Sequence, residues 1–270
     1  MTGIRRCLFP STSTSVHPPR PAVMGHLPPE LIDLIIDHLY DDMAALKACS
    51  LVSRAFLPRS QTLLFESLSI YGDWRIPVPL RAHSYTRNLA ISIRNGCFIQ
   101  PHHLDKILNV CVSFKSVRDL WLWLFPTQFI DTHFTLTSRY FAHFQPTLRC
   151  LELTAPTKNP KDLIAFVAFF PLLEEVSLKL FDFYTKSSSK FGELDPHLLN
   201  PLRGALWIDD NAPDSGFVQE LAMVRVQYHT LELYTNPVSS VTGLQALITA
   251  CAPNLRVLRM HRSTPFSACW

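Results

Sequence analysis

One spaced apolar pattern constrains this chain more than any other feature: an L-x-x-L-x-L run that keeps returning along its length. It reads Val117-Leu120-Leu122, Leu148-Leu151-Leu153, Leu173-Val176-Leu178, Tyr228-Leu231-Leu233 and Leu255-Leu258-Met260. A looser copy, Leu202-Leu206-Ile208, carries one extra residue in its first gap, and Leu89-Ile91 is an earlier partial copy. With Leu89, Leu120, Leu151, Val176, Leu206, Leu231 and Leu258 taken as equivalent, the intervals are 31, 31, 25, 30, 25 and 27 residues. Apolar residues two apart mark a short strand with one buried face. The segments between the copies carry helical stripes instead: Leu104, Ile107, Leu108 and Cys111; Leu163, Phe166, Val167 and Phe170, stopped by Pro171; Val218, Leu221, Ala222 and Val226; Leu244, Leu247, Ile248 and Cys251, followed by Pro253. A strand-plus-helix unit leaves one apolar side bare, so neighbours must stack, with the strands paired in parallel.

This period resembles the leucine-rich-repeat class, stretched by loops. The resemblance implies an α/β solenoid of short parallel strands with outer helices over residues 69–270. The asparagine usual after the strand is missing from most units, with Asn211 and Asn236 nearest to the position, so the array is expected to be irregular. An all-helical solenoid would explain the helices but not the L-x-L alternation. No polar terminal cap follows Met260. The expectation is that the chain continues in a longer protein, or that Phe266 and Trp270 fold back over the last unit.

Before the repeats lies a helical stretch. Pro28-Pro29-Glu30 suits a first helical turn, where proline's missing N–H costs nothing and an acid meets the positive dipole end. Leu31, Ile32, Ile35, Ile36 and Leu39 then recur at helical spacing. Asp41 or Asp42 can cap a second helix carrying Leu46, Cys49, Val52 and Phe56, and a third short helix is expected from Gln61 to Phe65. Three short helices cannot bury all this apolar surface alone.

The segments LPPELIDLIIDHL, ALKACSLVSRAF and LLFESLSI together resemble an F-box, over residues 26–68. The F-box is the motif by which substrate receptors dock the Skp1 subunit of SCF-type cullin-RING ubiquitin ligases. Many F-boxes carry tryptophan in the later helices, where this chain has Ala55-Phe56 and Phe65. The resemblance implies a Skp1-facing surface of Leu27, Pro28, Leu31, Ile35, Ile36, Leu39, Leu51 and Val52. The plainer alternative is that these helices only cap the array.

Composition narrows the partners. Hydrophobic residues make up 47% of the chain and aromatics 11%, which argues against a disordered chain. The net charge of +3 is spread along the sequence and gives no reason to invoke nucleic acid. No apolar run approaches the ~20 residues that span a bilayer. The seven cysteines include no C-x-x-C pair, which favours reduced, buried thiols and the cytosol or nucleus. Residues 1–25 combine arginines with Ser and Thr as a mitochondrial presequence does. Pro10, Pro18, Pro19 and Pro21 would break its helix, so a disordered tail is expected.

Chemistry finds no purchase. The eight glycines form no phosphate-binding or nucleophile-elbow motif, and the eleven histidines show no ligand spacing; His102-His103 is their one adjacent pair. Glu174-Glu175 and Asp209-Asp210 read as solvated surface. No cofactor, metal or catalytic residue is expected. What remains is recognition of a protein target by residues flanking the buried strand positions: Trp121, Trp123, Glu152, Lys179, Trp207, Tyr234, Arg259 and His261. Large aromatics on such a face either anchor a partner or are covered by the chain's own loops.

Overall fold

The computed structural model describes residues 27–71, 82–93, 109–124, 140–156, 160–181, 201–210, 217–235 and 241–262. The expected tail at 1–25, His102-His103, the stripe residues Leu104, Ile107 and Leu108, and Asn211, Asn236, Phe266 and Trp270 lie outside them.

The chain is mixed α/β. Three helices come first: α1 (Pro29–Asp37), α2 (Met43–Val52) and α3 (Leu57–Glu66). Then follow β1 (Ser67–Tyr71), a short α4 (Ala82–Tyr85), β2 (Asn88–Ile93), β3 (Asp119–Leu124), a 3-10 turn (Ala142–Phe144) and β4 (Cys150–Pro156). The rest alternates: α5 (Pro160–Ala168), β5 (Glu175–Phe181), β6 (Leu202–Asp210), α6 (Phe217–Met223), β7 (Val226–Thr235), α7 (Val241–Cys251) and β8 (Val257–Arg262). Every strand pairs in parallel with the next in sequence, giving one eight-stranded sheet in the order β1 to β8. An all-helical array is thereby excluded.

The register follows the apolar repeat. Leu68, Leu89, Leu120, Leu151, Val176, Leu206, Leu231 and Leu258 form one continuous cross-strand column. Ile70, Ile91, Leu122, Leu153, Leu178, Ile208, Leu233 and Met260 form a second. From β2 to β7 no member of either column is more than 2% exposed. Helix residues close over them, Leu163, Phe166 and Val167, then Phe217 and Leu221, then Leu247 and Cys251; Phe170, expected in the helical stripe, is buried just past the end of α5. Burying one such side chain is worth about 2–3 kcal/mol, so these columns set the register against any one-residue slip.

Two expectations about the repeats need correction, and one element is new. Val226 belongs to the start of β7, not to the helical stripe of Val218 and Leu221. Leu202 pairs with Val226 instead of matching Tyr228, because β7 carries an extra residue, His229, opposite the step from Gly204 to Ala205. Gly204 takes φ +91° there, and a Cβ on it would stand 1.9 Å from the Glu174 carbonyl oxygen. Only glycine tolerates both conditions. Between β3 and β4 a 3-10 turn buries Phe141 and Phe144, where the sequence shows no helical stripe.

The first three helices have a small core of their own, Ile32, Ile36 and Leu46, with Leu39, Phe56, Leu63 and Leu64 packed against it. Asp42 caps α2, its Oδ1 accepting from the N–H groups of Ala44 and Ala45 at 3.0 and 2.9 Å. α2 ends at Val52, so Phe56 belongs to the start of α3, which begins four residues before the expected Gln61. α3 runs into β1 without a loop, and the boundary drawn at 68 falls inside that strand. The Thr86 hydroxyl stitches the junction, lying 3.0 Å from the Phe65 carbonyl and 2.8 Å from that of Ala82. Among the described residues no helix is long and apolar enough to cross a membrane.

Candidate functional site

A period-two strand turns alternate side chains away from the helices. On this open face the register lines up Trp121, Glu152, Ser177, Trp207, Glu232 and Arg259 in one row. The next row runs Trp123, Thr154, Lys179, Asp209, Tyr234 and His261. Neighbouring strands stand about 4.8 Å apart, so side chains on adjacent strands touch although 25 or more residues separate them in sequence. All eight open-face residues named from the sequence fall in these two rows.

Four of them converge on a residue outside that set, Glu232. The Tyr234 hydroxyl donates to its Oε1 at 2.7 Å and the Trp207 indole N–H to its Oε2 at 3.2 Å. The Arg259 guanidinium reaches Oε2 at 3.2 Å, and His261 Nε2 lies 3.2 Å from Oε1. The His261 ring stacks on Tyr234, 4.5 Å between centroids and 11° apart. Glu232 is 7% exposed, a depth at which an unpaired carboxylate is costly and a fully bonded one is stable. The Tyr234 bond does most to hold its carboxyl below the ordinary value; burial opposes this, and Arg259 and Trp207 reinforce it. The same bond pushes the Tyr234 hydroxyl up.

This arrangement fixes shape without offering a reactive group. Both Glu232 oxygens are saturated with donors, so the carboxylate serves to orient Trp207, Tyr234, Arg259 and His261. The exposed sides of Arg259 and His261 remain open for contact, at 63% and 43%. Side chains held in place before a partner arrives lose less entropy on binding. Farther along, Lys179 Nζ pairs with Glu152 Oε1 at 2.6 Å, with Trp121 beside Glu152 and Trp123 beside Thr154. Trp121 is half-buried and Trp123 is 36% exposed. Cys150 sits between Asp119 and Glu175 on the same face. Burial foremost, then the Asp119 hydrogen bond, pushes its thiol up to about 12, so it stays protonated at neutral pH. Among the described residues no group of three or more His, Cys, Asp or Glu could hold a metal ion.

A second surface lies on the helices. Leu27, Leu31 and Ile35 are 46–50% exposed, Leu51 86% and Val52 73%, and Pro28 is exposed with them. Ile36 is not part of this surface. It is 1% exposed, turned with Ile32 toward Leu46, and half-buried Leu39 packs against the same cluster. Residues adjacent in sequence stand about 100° apart around the helix, so Ile35 and Ile36 belong to different faces. Leu34 extends the outer stripe at i+3 from Leu31, and Tyr40 and Met43 are exposed beside it in sequence. Eight of the seventeen exposed large hydrophobics among the described residues fall between Leu27 and Val52.

No family model matches the chain, and neither the curated proteins nor the solved structures contain a match to it.

Proposed function

We propose that the chain is a substrate-recognition adaptor of an SCF-type cullin-RING ubiquitin ligase. Its F-box-like helices dock Skp1, and the open face of a leucine-rich-repeat-like solenoid holds the protein to be modified. The observation that carries this reading is the bare stripe of Leu27, Leu31, Leu34 and Ile35, with Leu51 and Val52, on helices that already own a closed core. Apolar surface that the fold does not need marks a partner site. A helical cap for the array would turn these residues toward the sheet; their exposure favours docking. The Glu232 cluster supports the second half of the reading, because it presents oriented Trp, Tyr and Arg side chains of the kind that dominate binding energy at protein interfaces.

In this role the chain performs no bond-making step. It raises the effective concentration of a target near a ubiquitin-loaded enzyme. Co-purification with Skp1 tests the docking half, comparing wild type with Leu31→Asp, Ile35→Asp. Both positions are about half exposed, so the double variant should keep its circular dichroism and lose Skp1. A folded wild-type chain that leaves Skp1 behind would leave a repeat scaffold with no ligase role.

A further inference from the structure

The two apolar columns of the sheet are sealed from β2 to β7 and then break open. At β8 their members Leu258 and Met260 are 43% and 54% exposed, against 2% or less at every matching position from β2 onward. Among the described residues β8 pairs only with β7, so its outer edge keeps a row of backbone N–H and C=O groups facing away from the sheet. An edge of this kind, with apolar side chains bare beside it, is a template for another strand.

Charge decides which strand. Arg256, Arg259 and His261 are exposed along β8 and its approach, and no acid lies between Arg256 and Arg262. A second copy joined edge to edge by a two-fold axis would set this basic strand against itself, and like charges across a strand pair are destabilising. On its inner side Arg259 is met by Glu232, in the run Leu231-Glu232-Leu233. The same apolar–acid–apolar run recurs in β4 as Leu151-Glu152-Leu153, where Glu152 meets Lys179. The sheet thus shows twice that the acid of an apolar–acid–apolar run pairs with a basic side chain on the next strand.

We propose that the outer edge of β8 docks an extended segment of a partner protein carrying two apolar residues with an acid between them. The apolar pair covers Leu258 and Met260, and the acid meets the exposed side of Arg259. The inference goes beyond the adaptor reading, since it holds with or without Skp1.

The test uses the full chain and a fluorescein-labelled peptide with the β7 sequence VQYHTLELYT, read by anisotropy. The peptide should bind, and Lys in place of its glutamate should weaken binding about tenfold, one ion pair being lost and a repulsion gained. Met260→Asp in the chain should abolish binding while leaving circular dichroism unchanged, because Met260 is already more than half exposed. Equal binding of both peptides, or of neither, overturns the proposal. So does a concentration-dependent dimer in sedimentation that Met260→Asp removes, which would make a second copy the occupant. A tenfold gain in peptide affinity on deleting residues 263–270 would assign the edge to the chain's own segment instead. None of these outcomes depends on the Leu31 and Ile35 surface.

Discussion

Replacing Glu232 by glutamine tests the reasoning about the open face most sharply, because it keeps the shape and removes the charge. Four donors converge on this carboxylate. Two of them, on Arg259 and His261, are 63% and 43% exposed and regain water when the charge goes, so they add little. The Tyr234 and Trp207 bonds are the ones at stake. A hydrogen bond to a charged group is worth about 1.5–3 kcal/mol against about 0.5–1.5 kcal/mol for a neutral one; the glutamine carbonyl keeps the Trp207 bond and its NH2 can donate to the Tyr234 hydroxyl, so each of the two bonds survives in the weaker, neutral form. The expected loss is about 2 kcal/mol at pH 7. With a urea slope of about 2.5 kcal/mol/M the midpoint falls by ~0.8 M. The pH dependence carries a sign. Because the folded carboxyl is held below its ordinary value, the charge stabilises the fold above the unfolded carboxylate pKa of about 4.3, and that stability is lost as pH falls through the folded value. Glutamine does not titrate, so the gap between the two proteins should be full at pH 7 and shrink by pH 3. Urea titrations followed by far-UV circular dichroism at both pH values decide the matter. Equal midpoints at pH 7, or a gap unchanged at pH 3, would refute the charge-centred account of the cluster.

Three further outcomes follow from the packing. Gly204→Ala should cost about 3 kcal/mol or more, since the added Cβ meets the Glu174 carbonyl at 1.9 Å on a backbone of positive φ; a urea midpoint within error of wild type would contradict the bulge geometry. Leu122→Ala, 1% exposed, should cost about 3 kcal/mol, whereas Leu258→Ala in the matching pattern of β8 should cost under about 1 kcal/mol. Comparable losses at the two sites would mean that β8 is covered after all. In the native chain at pH 8, iodoacetamide should spare Cys111 and Cys251, both buried, with the Cys111 thiol pushed up to about 12, and among the four cysteines of the described residues should modify half-buried Cys49 first. Peptide mapping by mass spectrometry reads the order, and early labelling of Cys111 would speak against a closed core.

The sheet was legible because its demand on sequence is simple. Each strand needs apolar residues two apart whatever the loops between them do, so equivalence survives intervals from 25 to 31 residues, and the seven chosen positions share one column. β1 escaped notice because Leu68-Ser69-Ile70 follows α3 directly and reads as the end of the helical run. The exposed apolar stripe of the first helices was legible in part. Adjacent pairs such as Leu31-Ile32 and Ile35-Ile36 supply both faces of α1, and only the position of Leu46 selects which member turns inward. Glu232 flanks the buried Leu231 and Leu233 and so shares the open face, yet its importance lies in Trp207, 25 residues before it, and Arg259, 27 after. Single-strand patterns do not reveal that convergence; the cross-strand register does.

The central claim, two separable binding surfaces on one chain, is tested most directly by calorimetric titration of Skp1 into three forms of the protein. Wild type and Trp207→Ala, Glu232→Gln should bind Skp1 with the same affinity, and Leu31→Asp, Ile35→Asp should give no binding heat while remaining folded. No heat from folded wild type, or equal loss in both double variants, would contradict the account.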